Sequence, residues 1–149
     1  MSKDFSVERP HRNSNFLVDL GYRDPSSLSA GFCEVIFPEF RIDSTAEAGP
    51  RDLDQQTQIE ASPRRLVLRR GVTGSLDLYA WWDKARKGKA PKQRTVKVSL
   101  LADDHATVVL TWYFRRTRPL SLTYSPLNAL QGTVLIETIE LDFETMEMR

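Results

Sequence analysis

Polar and apolar residues that alternate along the chain constrain its fold more than any other feature. Alternation places every second side chain on the same face of an extended strand, so each run predicts a half-buried β-strand. A further short extended piece lies between Pro119 and Pro126. The six clearer strand patterns span 15–22, 31–40, 64–71, 95–101, 107–116 and 132–144.

One segment, 76–87, has helical periodicity instead. Ser75 precedes it as a candidate N-cap, and Gly88 follows it as a helix stop. The apolar positions recur at helical spacing, which favours packing of the helix against a sheet. The residues predicted to form this packing core are Leu78, Tyr79 and Trp82.

Six or seven strands with one flanking helix predict a mainly β protein, an antiparallel β-sandwich or barrel. The 149 residues suit a single domain, 1–149, with an N-terminal tail at 1–12. Residues 41–63 form a polar connection that is unusually long for a compact domain, and such loops are often functional. The strand pattern also leaves sheet edges, which a monomer must cover or charge.

The search for chemistry is negative. The sequence has no glycine-rich phosphate loop, and His11 and His105 do not have the spacing of a metal site. Cys33 is the only cysteine, which excludes a disulfide framework within the chain. No apolar run is long enough to span a membrane, and the N-terminus has no signal-peptide pattern. We therefore expect no enzyme activity, catalytic residue, metal or cofactor.

The net charge of +1 hides an uneven distribution. Residues 1–59 carry −4, residues 60–118 carry +9 and residues 119–149 carry −4. Folding can mix these blocks into a neutral surface, which is the interpretation we favour, or opposite patches can meet between copies of the chain. Glu137 lies on the apolar parity of the last strand and is either a paired inward charge or the mark of a bulge. The opposite parity forms an acidic face of Glu140, Asp142 and Glu144.

Basic residues in the middle block allow three interpretations. Beside aromatic residues they can bind single-stranded nucleic acid. They can also be a solvated helix end, or a rim that docks on an acidic patch of another copy. The residues alone leave all three open, and the two groups are Lys84, Arg86, Lys87, Lys89, Lys92, Arg94 and Lys97 near Trp81 and Trp82, and Arg115, Arg116 and Arg118.

Four ordered segments, between about Asn13 and Glu144, resemble the phage tail-tube protein family, which also forms the inner tube of contractile injection systems. The first two are RNSNFLV from Arg12 and AGFCEV from Ala30. The third is LVLRRGV from Leu66, followed by LYAW from Leu78. The fourth is WYF from Trp112, Pro119, PLNA from Pro126 and VLIETIEL from Val134. The segment Phe37–Phe40 departs from the family pattern, as does the sparse glycine content at 46–49.

The resemblance implies a structural subunit of stacked hexameric rings around a lumen through which cargo passes, with strands joining a ring-wide barrel. It makes 41–63 an inter-subunit arm. The implied partners are sheath, baseplate or spike and tape-measure proteins, with effector cargo in the lumen. It implies no membrane, and no specific nucleic acid outside a phage tail. Assembly would occur in the bacterial cytoplasm, before incorporation into a virion tail or injection particle.

The alternatives are a nucleic-acid-binding β-barrel module and a tube-initiating paralogue. The acidic face becomes a candidate for the lumen or a stacking surface. The candidates for ring or stacking interfaces are Glu47, Gly49, Arg51, Arg69, Arg70, Lys89, Lys92, Arg94, Arg115 and Arg116.

Overall fold

The computed structural model describes residues 9–21, 31–42, 64–88 and 94–149. In these ranges the chain forms seven strands and one helix, which confirms the mainly β prediction. The elements are β1 (Phe16–Asp19), β2 (Phe32–Ile36), β3 (Arg65–Gly71), α1 (Asp77–Arg86), β4 (Arg94–Leu101), β5 (Val108–Tyr124), β6 (Ile136–Asp142) and β7 (Thr145–Met148).

Every strand pairing is antiparallel, and the strands form one sheet in the order β1-β4-β5-β6-β3-β2. The short strand β7 pairs with the first part of β5, on the side opposite β4. The sheet of the described residues is open, so the expected closure into a barrel does not occur within one chain. Strands β1 and β2 are therefore left as its two edges.

The sheet bends in the middle of β5, where a β-bulge changes its direction. Between the pairs Val96↔Phe114 and Arg94↔Thr117, two residues of β5 oppose one residue of β4. The second of the two, Arg116, has φ of 55°, a left-handed conformation that residues other than glycine adopt rarely. The first part of β5 thus joins β4, and the second part joins β6, which explains why the two extended patterns of the sequence form one long strand.

The bend encloses a core between the two parts of the sheet. Its members are apolar residues from both parts and from α1, since strand alternation and helix periodicity point them to the same interior. The buried cluster comprises Val18, Leu20, Leu66, Leu68, Leu78, Trp81, Val96, Val98, Phe114, Ile139, Leu141 and Phe143.

The helix contributes a different face from the predicted one. Leu78 is buried as expected, but the second core residue is Trp81, whereas Tyr79 is exposed and Trp82 is half-buried. The spacing from Leu78 to Trp81 points both side chains at the sheet, and it turns Tyr79 and Trp82 towards solvent. The helix also begins one residue later than expected, with Leu76 rather than Ser75 as N-cap.

The C-terminal segment differs from the single long strand that its alternation predicts. Strand β6 begins only at Ile136, because residues 125–135 form the loop that connects it to β5. After β6, the buried Phe143 and the exposed Glu144 interrupt the pairing before β7 begins. The predicted tail at 1–12 falls largely outside the described residues, as does the predicted arm at 41–63 beyond Ile42.

Candidate interaction surface

A row of four aligned residues crosses the sheet on its inner face, and a buried arginine–glutamate ion pair lies at its centre. The aligned residues of β2, β3, β6 and β5 are Phe32, Arg70, Glu137 and Tyr124. Arg70 Nε donates a hydrogen bond of 2.6 Å to Glu137, and its Nη1 donates one of 3.1 Å to Asp77 at the start of α1. Both Arg70 and Glu137 are almost fully buried. Glu137 is therefore the paired inward charge that its parity allowed.

The same row corrects the assignment of Arg70 as an interface candidate, because its side chain is used inside the subunit. Burial by itself would lower the pKa of Arg70, but hydrogen bonds to Asp77 and Glu137 outweigh burial and raise it. Burial would likewise raise the pKa of Asp77, yet hydrogen bonds from Arg70 and Ser75 lower it. The row thus ties α1 to the sheet through Arg70 and Asp77, and both of these shifts favour the charged forms.

The outer face of the same strands carries the predicted acidic residues, but arginines neutralise them. Arg65 of β3 donates to Glu140 at 3.0 Å, and Arg118 of β5 donates to Asp142 at 3.1 Å. Ser121 also donates to Glu140, at 3.1 Å. We call these residues, with Arg116 and Glu144, the ion-pair face. It presents a mixed-charge surface rather than an acidic one.

Arginines around the bend of β5 are paired in the same way. Arg116 Nη1 donates to Glu144 at 3.0 Å. Arg115 forms an ion pair with Glu147 of β7, in which the Nε–Oε1 distance is 3.0 Å. Hydrogen bonding to Arg115 is the main reason why the pKa of Glu147 is lowered. These two interface candidates are therefore engaged within the chain.

The remaining described candidates also have partners in the chain. Arg69 Nη1 donates to Glu34 of β2 at 2.9 Å on the exposed side of the sheet. The guanidinium of Arg94 lies 4.7 Å from the ring centre of Trp81, so it packs on the helix. Glu47, Gly49, Arg51, Lys89 and Lys92 lie outside the described residues.

Folding brings part of the basic middle block together with the acidic terminal blocks. Within the described residues, six ion pairs join arginines of the block 60–118 to carboxylates of the two terminal blocks. This favours the interpretation that folding mixes the blocks. The sequence analysis missed the acidic partners Glu34 and Glu147 and the basic partner Arg65. Strand register would have revealed them, because each lies opposite or diagonal to its partner across neighbouring strands.

An exposed apolar surface at one end of the sheet was also missed. In the loop 125–135, Leu127 is 87% exposed and Leu130 is 96% exposed. The sequence contained a signal for this surface. A loop with proline, asparagine and glycine is expected to be polar at its other positions, and Leu127 and Leu130 depart from that expectation.

Other kinds of site find no support among the described residues. Within the described ranges, no group of three or more His, Cys, Asp or Glu side chains is placed to hold a metal ion. The one described helix, α1, is too short and too polar to cross a membrane.

Solved structures of contractile injection systems share this fold. A chain from the sheath/tube terminator of the extracellular system PVC, in the extended state, has a TM-score of 0.73 at 19% identity, covering 97% of this chain and 99% of that one. A chain from the PVC sheath–tube complex has a TM-score of 0.65 at 18% identity, covering 99% of each chain. A chain from the six-fold symmetrised baseplate of the anti-feeding prophage has a TM-score of 0.63 at 20% identity, covering 96% and 97%.

The fold is thus one found among the components of contractile injection systems. No curated protein sequence matches the chain significantly. The family model described as T4-like virus tail tube protein gp19 matches residues 12–147, nearly the whole chain. The chain belongs to this tail tube family.

Proposed function

We propose that the chain is the repeating subunit of the inner tube of a contractile injection system or phage tail. Copies form hexameric rings, and the rings stack around a lumen for cargo. The observation that carries this proposal is the tail tube family match over residues 12–147. The solved relatives in sheath–tube and baseplate structures support sheath and baseplate proteins as partners. The subunit assembles in the bacterial cytoplasm, and its role is structural rather than catalytic.

The open sheet supports closure between copies. Strands β1 and β2 are edges of the sheet, and β7 lies along only the first part of β5. Edge strands carry unpaired backbone groups that favour pairing with another chain. A ring-wide barrel removes all such edges, because each edge strand then pairs with a neighbour.

We place the ion-pair face towards the lumen. Glu140, Asp142 and Glu144 already have arginine partners in the same chain, so this face needs no charge from a neighbouring subunit. Thr123 is exposed on this side of β5 and can be replaced without loss of an ion pair. A Thr123→Cys chain that also carries Cys33→Ser should react with a bulky maleimide when unassembled and be protected in tubes. Equal reaction in both states would place this face outside.

Negative-stain microscopy and sedimentation velocity of the purified protein test the tube itself. We expect rings or tubes, either with the protein alone or with sheath and baseplate proteins present. A monodisperse monomer at high concentration and low salt, with no tubes beside these partners, would refute the proposal. Tubes that form only on a preassembled baseplate, one ring long, would identify the tube-initiating paralogue instead.

The nucleic-acid alternative loses the support of one of its two basic groups, Arg115, Arg116 and Arg118. The middle-block arginines Arg65, Arg115, Arg116 and Arg118 all contact carboxylates. A surface that binds single strands needs basic groups free to contact phosphates, and its affinity falls steeply with salt. Titration with a fluorescent single strand at low salt should therefore give no binding.

A further inference from the structure

Each carboxylate of the ion-pair face has an arginine partner on a neighbouring strand or at the bend of β5. Arg118 of β5 lies directly opposite Asp142 of β6, and their side chains form an ion pair at 3.1 Å. Arg65 of β3 reaches Glu140 of β6 diagonally, at 3.0 Å. The third pair joins the remaining carboxylate to the arginine at the bend, also at 3.0 Å. The charges of this face are therefore balanced pair by pair.

A fourth pair extends the balance to the edge strand β2. Arg69 lies four residues after Arg65 in β3, so alternation points both side chains to the same side of the sheet. Arg69 pairs at 2.9 Å with Glu34, which lies directly opposite it in β2. Four arginines and four carboxylates thus face this side. Arg64, which precedes β3 and donates to the backbone oxygen of Glu144, adds one positive charge at the bend.

Paired charges of this kind act only over short distances. The two members of an ion pair form a dipole, and its potential falls faster with distance than that of a single charge. Salt screens what remains, with a Debye length of about 8 Å at physiological ionic strength. A concave surface with an excess of one sign can raise the local concentration of counter-ions by about 10- to 1,000-fold, whereas a balanced surface gives no such enrichment.

We propose that the lumen of the tube is close to electrically neutral and admits polypeptide cargo of either net charge. In the proposed function the ion-pair face lines the lumen, so this inference rests on that placement and adds the class of cargo that fits. A polypeptide carries side chains of both signs, and the lining offers each sign a partner at short range. Neither an acidic nor a basic polypeptide is held or repelled along the length of such a tube.

The reaction rate of a thiol in the lumen reports the electrostatic potential there. Thr123 lies two residues after Ser121, which is opposite Glu140, so the thiol of Thr123→Cys is about 7 Å along the strand from that row. The Thr123→Cys/Cys33→Ser chain is treated with two small methanethiosulfonates, one carrying a trimethylammonium group and the other a sulfonate group. The ratio of the cation rate to the anion rate in tubes is divided by the same ratio in the unassembled chain. We expect this quotient to lie within about threefold of unity, because a neutral lining enriches neither reagent.

Two charged variants of the same chain should shift the quotient in opposite directions. Arg65→Gln/Arg118→Gln removes the arginine partners of Glu140 and Asp142 and makes each subunit more negative by two charges. At low salt the quotient should then rise at least about tenfold in favour of the cation. Glu140→Gln/Asp142→Asn should favour the anion to a similar extent. Both shifts should disappear near 1 M salt, where the Debye length is about 3 Å.

The matched control removes one complete pair. Arg65→Gln/Glu140→Gln loses the same arginine as the first charged variant but keeps the net charge, so its quotient should equal that of the unmodified tube. Exposed ion pairs contribute little to stability, so all these chains should fold. Circular dichroism verifies folding, and negative-stain microscopy verifies that each chain forms tubes.

Three results would overturn the inference. The first is an unmodified tube whose quotient departs from unity by more than about threefold, and an excess of the anion rate would indicate a lining suited to a polyanion such as nucleic acid. The second is a pair of charged variants that form tubes without any shift, since the face then lies away from the lumen. The third is a control that shifts as much as the charged variants. If the unmodified chain forms no rings or tubes with any partner, the proposed tube function itself fails, and this inference fails with it.

Discussion

Loss of the Arg70 guanidinium should be the most damaging single change in the described part of the molecule. Arg70→Met would leave Glu137 buried without its cation and would release Asp77 from the sheet. Breaking a buried ion pair by removing one partner costs about 3–5 kcal/mol. Because domains of this kind unfold at a cost of about 5–15 kcal/mol, the substitution would remove a large part of the stability.

The neighbouring residue provides a matched control. Arg69 lies in the same strand and also forms an arginine–glutamate pair, but on the exposed face. An exposed pair contributes about 0–1 kcal/mol, so Arg69→Met should have little effect. Removing both buried charges with Arg70→Met/Glu137→Leu should restore most of the stability, since a buried pair can often be replaced by apolar residues at little cost.

Equilibrium unfolding in urea, followed by tryptophan fluorescence at a concentration below assembly, measures these differences. We expect the midpoint of Arg70→Met to fall by about 2 M and that of Arg69→Met to change by less than about 0.5 M. If Arg70→Met and the double variant are equally destabilised, then the two charges are not coupled and the reasoning is wrong.

The pH dependence of stability gives a second test of the contact between Arg70 and Asp77. The pKa of Asp77 is lowered in the folded protein, so its contribution to stability is present above its unfolded pKa of about 3.9 and is lost as the pH falls below that value. Arg70→Met should therefore unfold with a weaker dependence on pH between about 4 and 2 than the unmodified chain. An unchanged slope would show that Arg70 does not hold Asp77 ionised.

Three further substitutions test individual backbone and turn features. Gly21→Ala should destabilise the fold by about 1–3 kcal/mol in urea unfolding, because Gly21 has φ of 76° and a Cβ there would lie 2.7 Å from the carbonyl oxygen of Thr95; unchanged stability would contradict this. Arg116 has φ of 55°, so Arg116→Gly should leave the free energy of unfolding unchanged or raise it, despite the loss of an exposed ion pair. Arg116→Ile should lower the free energy of unfolding by about 1–2 kcal/mol. Equal effects of the two substitutions would exclude strain at the bulge. Asp104 accepts hydrogen bonds from Ala106 and Thr107. The hydrogen bond from the Thr107 hydroxyl contributes most to lowering the pKa of Asp104 to about 2, and the backbone N–H groups of Thr107 and Ala106 contribute the rest. The difference in Tm between the unmodified chain and Asp104→Asn should therefore shrink as the pH falls from about 4 to about 2, and a constant difference would refute that role.

Sequence patterns predicted helices and strands well where each pattern was compatible with only one type of secondary structure. The helix at 76–87 was right to within one residue at each end, since Gly88, with φ of 70°, ends it as expected. The pattern at 132–144 was less informative, because apolar residues in an exposed loop such as Leu135 look the same as the start of a strand. Helix periodicity identified Leu78 but chose Tyr79 and Trp82 over Trp81, because a stripe of aromatic residues covers more than one helix face.

The candidate site depended more strongly on the tertiary structure. Arg69 and Arg70 are adjacent and chemically identical, yet one is exposed and the other is buried against Glu137. Strand parity separates their faces, but only the arrangement of β6 and α1 decides which face is interior. The ion-pair face likewise depends on register, since Arg65 and Arg118 reach carboxylates that are far away in sequence.

Alternation and helix periodicity were sufficient to establish the mainly β class, the single described helix and most strand positions, because they arise from contacts between residues close together in the chain. The bend at Arg116, the open edges of the sheet and the pairing of the charge blocks were decided only by contacts between distant strands. That difference changes the meaning of the net charge of +1. Six arginines of the basic middle block pair with carboxylates of the acidic terminal blocks within one subunit, and only the register of distant strands determines those pairings.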